Sequence, residues 1–208
     1  MYVPAAFIEI RPDVIADFLA AHPMAQLVTV TDDGLEATPL PMLYEPAADG
    51  LGSLVGHVAR ANQQWANARP TLEALAIFTG PNAYVSPNWY PSKGVHGKVV
   101  PTWNYETVHV RGRFLVHDEP EWKRALVTRL TRHHEARFDV PWEVGDAPSD
   151  YIDVMLNAIV GVELQVTSIQ AKRKLSQNRP EADIVGTISG LTDVGGSSAV
   201  VAEAMRTL

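Results

Sequence analysis

The chain has 208 residues, of which 46% are hydrophobic and 20% charged, and its formal net charge at pH 7 is −7. This length and composition are typical of one globular domain, and the acidic balance argues against broad contact with nucleic acid. The sequence contains no cysteine, which excludes disulfides, thiol nucleophiles and zinc–thiolate sites. Redox chemistry would therefore require a bound cofactor.

Targeting signals are not evident in the sequence. No apolar run reaches the roughly 18 residues that a membrane-spanning helix needs. The first seven residues, MYVPAAF, lack the basic start and following apolar stretch of a signal peptide. We therefore expect a cytoplasmic protein with no membrane partner.

The first part of the chain predicts a helix and then a β-hairpin. Pro12 suits a first helical turn, and His22-Pro23 ends the apolar helical pattern that follows it. The turn sequence Asp32-Asp33-Gly34 separates two segments of strand-like composition. The elements predicted up to residue 79 are a helix from residue 12, strands over 25–31, 35–43 and 51–58, a short helix over 59–68 and a strand over 72–79.

The rest of the chain predicts a long loop, one half-buried strand, two helices and a last strand. Gly80-Pro81 is expected to break the strand before it and to open a Pro-rich aromatic loop over 82–99. Period-two alternation indicates a strand over 108–117, and Asp118-Glu119-Pro120 opens a helix. A helix over about 149–159, a strand over 161–169 and a Gly/Ser-rich tail from 191 that is weakly helical from 199 complete the prediction.

These elements predict a mainly β fold with added helices, of the α+β class. Five to seven strands separated by turns fit a small barrel with helical decoration better than an alternating parallel βαβ fold. We expect a single domain over 1–208 with a C-terminal helical appendage at about 180–208.

The segment Gly56-His57-Val58-Ala59-Arg60-Ala61-Asn62 is a candidate phosphate site. A strand that runs into a helix start presents free backbone N–H groups, and an arginine can direct two donors at phosphate oxygens. The glycines match neither the dinucleotide-binding nor the P-loop pattern. The alternative is that Arg60 is an ordinary surface residue and Asn62 a helix cap.

Two aromatic segments could enclose a planar ligand. They are residues 80–90, GPNAYVSPNWY, and residues 100–105, VPTWNY. Aromatic side chains with interleaved Ser, Thr and Asn suit a flat apolar slot with a polar rim. They would equally suit base stacking, or the packing of a long loop onto the core.

A basic segment follows the last predicted strand. Its sequence over 172–179 is KRKLSQNR, and its donors could close over an anion or over the carbonyl edge of a flavin. A solvated basic turn is the alternative.

Metal and hydrolase sites are poorly supported. His133-His134-Glu135 is the most suggestive histidine cluster, but adjacent helical residues point about 100° apart and the H-E-x-x-H pattern is absent. No G-x-S-x-G elbow appears. We expect no metal ion, and no catalytic residue is identified.

Taken together, these segments resemble the PaiB family of FMN-binding negative transcriptional regulators. The matching stretches are MYVPAAF at 1–7, GHVARAN at 56–62, GPNAYVSPNWY at 80–90, VPTWNY at 100–105 and KLSQNR at 174–179. The resemblance implies an FMN-binding split β-barrel, similar to pyridoxamine-phosphate oxidase, with flavin mononucleotide bound at a homodimer interface.

The resemblance also implies the cofactor-binding residues. Arg60 and Asn62 would meet the FMN phosphate, with His57 near the ring or the ribityl chain. The residues implied to form the wall of the cofactor or substrate space, some from the second subunit, are Ser86, Trp89, Tyr90, Thr102, Trp103, Asn104, Lys174, Gln177 and Asn178. The chain departs from the family pattern at Gln63 and at Asn82, where proline and histidine are frequent.

Three functions remain open at this point. The first is a regulatory flavoprotein that acts through partners or a small basic patch, since no helix-turn-helix is evident and the charge is wrong for an extended DNA footprint. The second is an FMN-dependent oxidoreductase of unknown substrate. The third, by analogy with haem-handling relatives of the fold, is a haem protein that uses His109 or His117 as axial ligand.

Overall fold

A computed structural model describes all 208 residues, which form eight strands and seven helices. The strands are β1 (Ile8–Glu9), β2 (Met24–Thr31), β3 (Gly34–Pro41), β4 (Leu43–Glu45), β5 (Ser53–Ala59), β6 (Glu73–Val85), β7 (Thr102–His117) and β8 (Ile159–Lys174). The helices are α1 (Pro12–Ala21), α2 (Gln64–Asn67), α3 (Ser92–His96), α4 (Pro120–Glu135), α5 (Ser149–Asn157), α6 (Glu181–Val194) and α7 (Gly196–Arg206).

The strands form one sheet in the order β3-β2-β6-β7-β8-β5-β4, and β1 pairs with β8. The β2–β3, β2–β6, β4–β5, β5–β8 and β1–β8 pairs are antiparallel. Antiparallel pairing with added helices confirms the predicted mainly β, α+β class. The sheet has eight strands rather than the five to seven expected.

The chain divides into two compact units. Unit 1 comprises residues 1–18, 79–108 and 170–208, and unit 2 comprises residues 19–78 and 109–169. The core of unit 1 contains Ala83, Leu175, Leu191, Val201, Ala202 and Met205. In unit 2, Val55 packs with Leu126 and Leu130 of α4. Strands β6, β7 and β8 contribute residues to both units.

The hairpin and two helices are confirmed where their local signals are strong. Thr31 pairs with Gly34 across the turn at Asp32-Asp33, as the turn sequence predicts. Helix α1 begins at Pro12 and α4 begins at Pro120, because proline costs nothing at a first turn whose N–H groups have no helical partner.

The predicted strand break at Gly80-Pro81 is wrong, since β6 continues to Val85. The pairing of β2 with β6 covers only 75–78, so the missing N–H of Pro81 removes no hydrogen bond to β2. A Cβ at position 80 would lie 2.8 Å from Phe18 Cε2, which explains the glycine. The predicted loop over 82–99 therefore begins only at Ser86, and it contains a 3-10 turn at Pro87–Trp89 and helix α3.

Three further segments differ from the prediction. The helix expected over 59–68 is reduced to the four residues of α2, preceded by a turn. Strand β8 extends to Lys174, so Lys172-Arg173-Lys174 lies in a strand and not in a solvated turn. Helices α6 and α7 occupy 181–194 and 196–206, where a Gly/Ser-rich tail was expected from 191.

No helix is both long enough and apolar enough to cross a membrane.

Candidate functional site

The segment 56–62 lies at the end of β5 in unit 2. Gly56 is required there because a Cβ would lie 2.9 Å from the carbonyl oxygen of Pro41. His57 is half-buried, and burial lowers the pKa of its imidazole below the usual value. The imidazole of His57 is therefore biased toward its neutral form, which can both donate and accept a hydrogen bond.

Arg60 is held by its own chain. Its Nη1 donates to Asp118 Oδ2 at 2.9 Å, its Nη2 pairs with Asp118 Oδ1, and its Nε donates to the carbonyl oxygen of Asn157 at 2.7 Å. The backbone N–H of Arg60 donates to the carbonyl oxygen of Ala158. The strand end is therefore not a row of free N–H groups, and the side chain of Arg60, which is 38% exposed, is already oriented.

Asn62 links the turn to the hairpin. Its Nδ2 donates to Thr38 Oγ1 at 2.9 Å, and its Oδ1 accepts the backbone N–H of Gln64 at 2.9 Å. The second bond caps the start of α2, as the alternative interpretation of Asn62 predicts.

Asp118 and Lys123 complete a charged cluster that sequence reasoning missed. Lys123 is 1% exposed, and its Nζ donates to Asp118 Oδ1 at 2.9 Å. Hydrogen bonds from Arg60 and Lys123 hold the pKa of Asp118 well below its usual range. The three groups carry a net charge of +1, which leaves an excess positive charge beside the segment 56–62. Only the Asp118-Glu119-Pro120 helix start pointed to this place in the chain.

In unit 1, Lys174 joins two of the other predicted residues. Its Nζ donates to Thr102 Oγ1 at 2.6 Å and to the carbonyl oxygen of Trp103. Burial and the nearby charges of Lys172 and Arg179 lower the pKa of Lys174. We call Thr102, Trp103 and Lys174 the lysine cluster.

An uncovered aromatic pair adjoins the lysine cluster. The rings of Tyr84 and Trp103 meet edge to face with centroids 5.9 Å apart, yet they are 48% and 53% exposed. Large aromatic rings usually bury most of their surface, and exposed groups of them mark binding surfaces.

The turn after β8 is ordered by its own side chains. Gln177 Oε1 accepts the N–H of Leu175 at 2.8 Å, and Gln177 Nε2 donates to the carbonyl oxygen of Arg173 at 2.6 Å. Ser176 has a φ of 67°, which few residues other than glycine adopt, and its Oγ donates to Asn104 Oδ1 at 3.0 Å. Asn178 is exposed. Asn104 is fully buried, so the Ser176–Asn104 hydrogen bond stabilises the turn on its buried side.

Three other predicted residues have structural contacts in unit 1. Ser86 Oγ accepts the N–H of Asn88 and caps the 3-10 turn. Trp89 packs so closely on Gly186 and Gly190 of α6 that a Cβ at either glycine would overlap it. Tyr90 is 2% exposed, the Arg179 guanidinium lies 4.9 Å from its ring centroid, and burial raises its pKa.

The histidines form no metal site in the structure. No group of three or more His, Cys, Asp or Glu residues is placed to hold a metal ion. His117 Nε2 lies 2.8 Å from Glu163 Oε2, and its ring stacks on Trp122 with centroids 4.1 Å apart. The Nε2 atom and one ring face of His117 are thus engaged within unit 2.

These residues have the chemistry that a flavin mononucleotide needs. The isoalloxazine ring requires an aromatic or apolar surface and hydrogen-bond donors for its carbonyl groups, and unit 1 offers the exposed Tyr84–Trp103 pair beside Lys174. The phosphate requires fixed donors and positive charge, and unit 2 offers Arg60 within a cluster of net positive charge. The donor sets fit the cofactor.

Comparison with known proteins gives the same result. The family model described as "Putative FMN-binding domain" matches residues 1–168. Protease synthase and sporulation protein PAI 2 from Bacillus subtilis is 32% identical over 191 residues, which cover 92% of this chain and 89% of that protein.

Solved structures identify the fold. The flavocytochrome Anf3 from Azotobacter vinelandii superposes with a TM-score of 0.58 at 12% identity, covering 86% of this chain and 74% of that one. The FAD and haem binding protein from Mycobacterium smegmatis has a TM-score of 0.55 at 17% identity, covering 86% and 78%. The chain therefore belongs to the PaiB family of FMN-binding proteins, with the flavin-binding split-barrel fold and FMN as its cofactor.

Proposed function

We propose that this chain works in the cytoplasm as an FMN-bound homodimer of the PaiB type with a regulatory role. The observation that carries the proposal is the uncovered aromatic pair beside the half-buried ammonium of Lys174. Val95, Val100 and Trp103 of unit 1 are also each more than half exposed. An apolar, aromatic surface of this kind is what a subunit interface that encloses a ring cofactor needs.

Each predicted residue has a role in this proposal. Arg60 and Asn62 hold the phosphate, and His57 contacts the ribityl chain or the ring. Trp103 provides an apolar face, while Lys174 and Thr102 supply donors to the cofactor's oxygens. The turn residues Gln177 and Asn178, with Ser86, complete the wall, and some of these contacts come from the partner subunit. The partly buried Trp89 and the buried Tyr90 and Asn104 support the wall without touching the cofactor.

The bound flavin would supply reversible electron uptake, and the chain's own residues determine which molecules reach it. Lys174 keeps a donor at a fixed position because two protein oxygens orient its Nζ. Arg60 is similarly preorganised by Asp118, so binding a phosphate costs little side-chain ordering.

Regulation through a partner is favoured over direct contact with a long DNA segment. The one clear basic cluster of the sequence, 172–174, is not an exposed patch. Lys172 is 8% exposed, and Arg173 is paired with Glu106 at 2.5 Å. The net charge of −7 also opposes broad contact with the phosphates of nucleic acid.

Haem ligation by His117 is disfavoured because its Nε2 is held by Glu163 and its ring is stacked on Trp122. His109 is half-buried, and burial lowers its pKa.

The test is an absorbance spectrum of purified protein combined with sedimentation analysis. We expect a yellow dimer with one FMN per chain, whose visible band does not bleach with NADH or NADPH. A monomeric protein that holds full FMN would contradict the homodimer site. Rapid bleaching by a nicotinamide that reverses in air would replace the regulatory role by an FMN-dependent oxidoreductase.

A further inference from the structure

A cavity of about 150 Å³ lies within unit 1, and none of the residues assigned to FMN lines it. Its apolar wall consists of Val14, Ile15 and Phe18 from α1, with Val108 and Ala171 from the strands. A dry cavity of about this size can hold a benzene ring. The cavity can therefore receive a ligand whose apolar body is a single ring.

The polar side of the cavity contains Glu9, Glu106, Thr107, Lys172 and Arg173. Both carboxylates are less than 10% exposed, and the Arg173 side chain is 14% exposed. Charged groups in such a position require hydrogen-bond partners, since desolvation without compensation is costly.

Glu9 has its partners within the chain. Its Oε1 accepts hydrogen bonds from Arg11 Nε at 2.9 Å and from the N–H groups of Ile10 and Arg11, and its Oε2 accepts Arg11 Nη2 at 2.6 Å. These bonds lower the pKa of Glu9 to about 2, so its negative charge persists at neutral pH.

Arg173 and Glu106 use only part of their bonding capacity on each other. Arg173 Nε donates to Glu106 Oε1 at 2.5 Å, while Nη1 of Arg173 is 3.8 Å from Glu9 Oε2 and beyond hydrogen-bond distance. The Nε–Oε1 bond occupies one donor of Arg173 and one oxygen of Glu106. A guanidinium has five N–H donors and a carboxylate about four acceptor positions, so both can bind a further group.

An adjacent donor and acceptor match the edge of a carboxamide, whose oxygen accepts and whose N–H donates. A carboxylate ligand is disfavoured because it would face Glu9 and Glu106. The residues that line the cavity include two carboxylates, Glu9 and Glu106, and two cations, Lys172 and Arg173, so the lining carries no net charge and calls for no ligand charge. Lys172 also lines the cavity, but its Nζ donates to Tyr2 O and lies 5.2 Å from the Tyr105 ring centroid.

We propose that this cavity is a binding site for a small neutral aromatic carboxamide, with the ring on Val14, Ile15 and Phe18 and the amide on Arg173 and Glu106. The site is independent of the FMN residues. The flavoprotein would then bind a second small molecule in addition to FMN.

The test uses the FMN-loaded full chain with benzamide as the probe and the backbone amide NMR shifts of Phe18, Val108 and Ala171 as the readout. We expect saturable shifts with a dissociation constant of about 1 mM or tighter. Benzoate, which has the same shape but is charged and lacks the N–H group, should bind at least about tenfold more weakly because of the carboxylates that it would face.

Two variants locate the site. Arg173→Lys keeps the positive charge beside Glu106 but removes the Nη fork, and it should weaken benzamide at least about tenfold. Ala171→Leu should abolish binding by filling the cavity. Arg113→Lys, at an exposed position, is the matched control and should bind like the parent protein.

FMN content, measured from the visible band, should stay at the parent level in Arg173→Lys and Arg113→Lys. Absence of shifts up to the solubility of benzamide would overturn the proposal. Equal binding of benzoate, or an unchanged affinity in a folded Arg173→Lys protein, would overturn it too. If Ala171→Leu does not fold, Arg173→Lys decides the question alone.

Discussion

The segment 56–62 of unit 2 and the lysine cluster of unit 1 were both predicted to meet FMN, but their surroundings differ. Arg60 is tied to Asp118 and to two backbone carbonyl groups. In the lysine cluster, Lys174 donates hydrogen bonds to Thr102 and to the carbonyl oxygen of Trp103, while the Trp103 ring is exposed. One region is a preorganised charge, and the other is an open apolar face. The following predictions separate these roles.

The largest expected effect is on stability, through the packing of helix α6 against Trp89. In Gly186→Ala the new methyl group overlaps the carbonyl oxygen of Trp89, which is backbone and cannot rotate away. We expect a loss of about 3 kcal/mol in the free energy of unfolding, measured by urea denaturation. Ser189→Ala, at an exposed position of the same helix, is the control and should change stability by less than about 0.5 kcal/mol. Equal stability of the two variants would mean that α6 does not press on Trp89.

The next effect concerns the phosphate site. Arg60→Ala removes a charge-assisted contact and should weaken FMN binding about 30-fold, measured by quenching of flavin fluorescence on titration. Asp118→Asn is the informative control, because it breaks the same internal ion pair but keeps the guanidinium. Its FMN affinity should stay within about threefold of the parent. If both variants lost affinity equally, Arg60 would act only by holding the fold.

The lysine cluster should show a smaller effect. Lys174→Met removes one ammonium donor while keeping the length of the side chain, and we expect about tenfold weaker FMN binding. Lys98→Met, which changes an exposed lysine of unit 1, should leave the affinity unchanged. An unaltered affinity in Lys174→Met would remove Lys174 from the cofactor wall.

The smallest expected effect is on acid stability. The pKa of Glu9 falls from 4.5 in the unfolded chain to about 2 in the fold, so its contribution to stability is complete above about pH 4.5 and is lost as the pH falls toward 2. Because its partner Arg11 is largely exposed, we expect a contribution of about 1 kcal/mol. Glu9→Gln should flatten the stability profile between pH 4.5 and 2. A profile as steep as that of the parent protein would contradict this assignment.

Local signals predicted the elements whose boundaries depend on a few neighbouring residues. The turn at Asp32-Asp33 and the helices that begin at Pro12 and Pro120 are examples, because turn geometry and helix starts are set within three or four residues. The segment 56–62 was placed correctly at the end of a strand for the same reason. Its internal tie to Asp118 was not predicted, because that contact joins residues 58 positions apart.

Long strands were the main source of error. Gly80-Pro81 is a breaker by local rules, yet β6 passes through it because the pairing with β2 has already ended at Phe78. Lys172 and Arg173 suggest a solvated turn by composition, but β8 buries them with Tyr105 and Glu106 as partners. In such segments, pairing with distant strands and ion pairs with distant residues outweigh the local β-propensity. A short sequence window does not contain these partners.

By itself the sequence determined the fold class and the flavin, because long motifs preserve the chemistry that a cofactor requires. Tertiary structure alone decided which of the predicted site residues have exposed side chains. Asn104 and Tyr90 are buried, Arg60 is paired, and Trp103 is uncovered. Burial and pairing depend on which distant residues meet in space, and that is fixed only when the strands and helices pack.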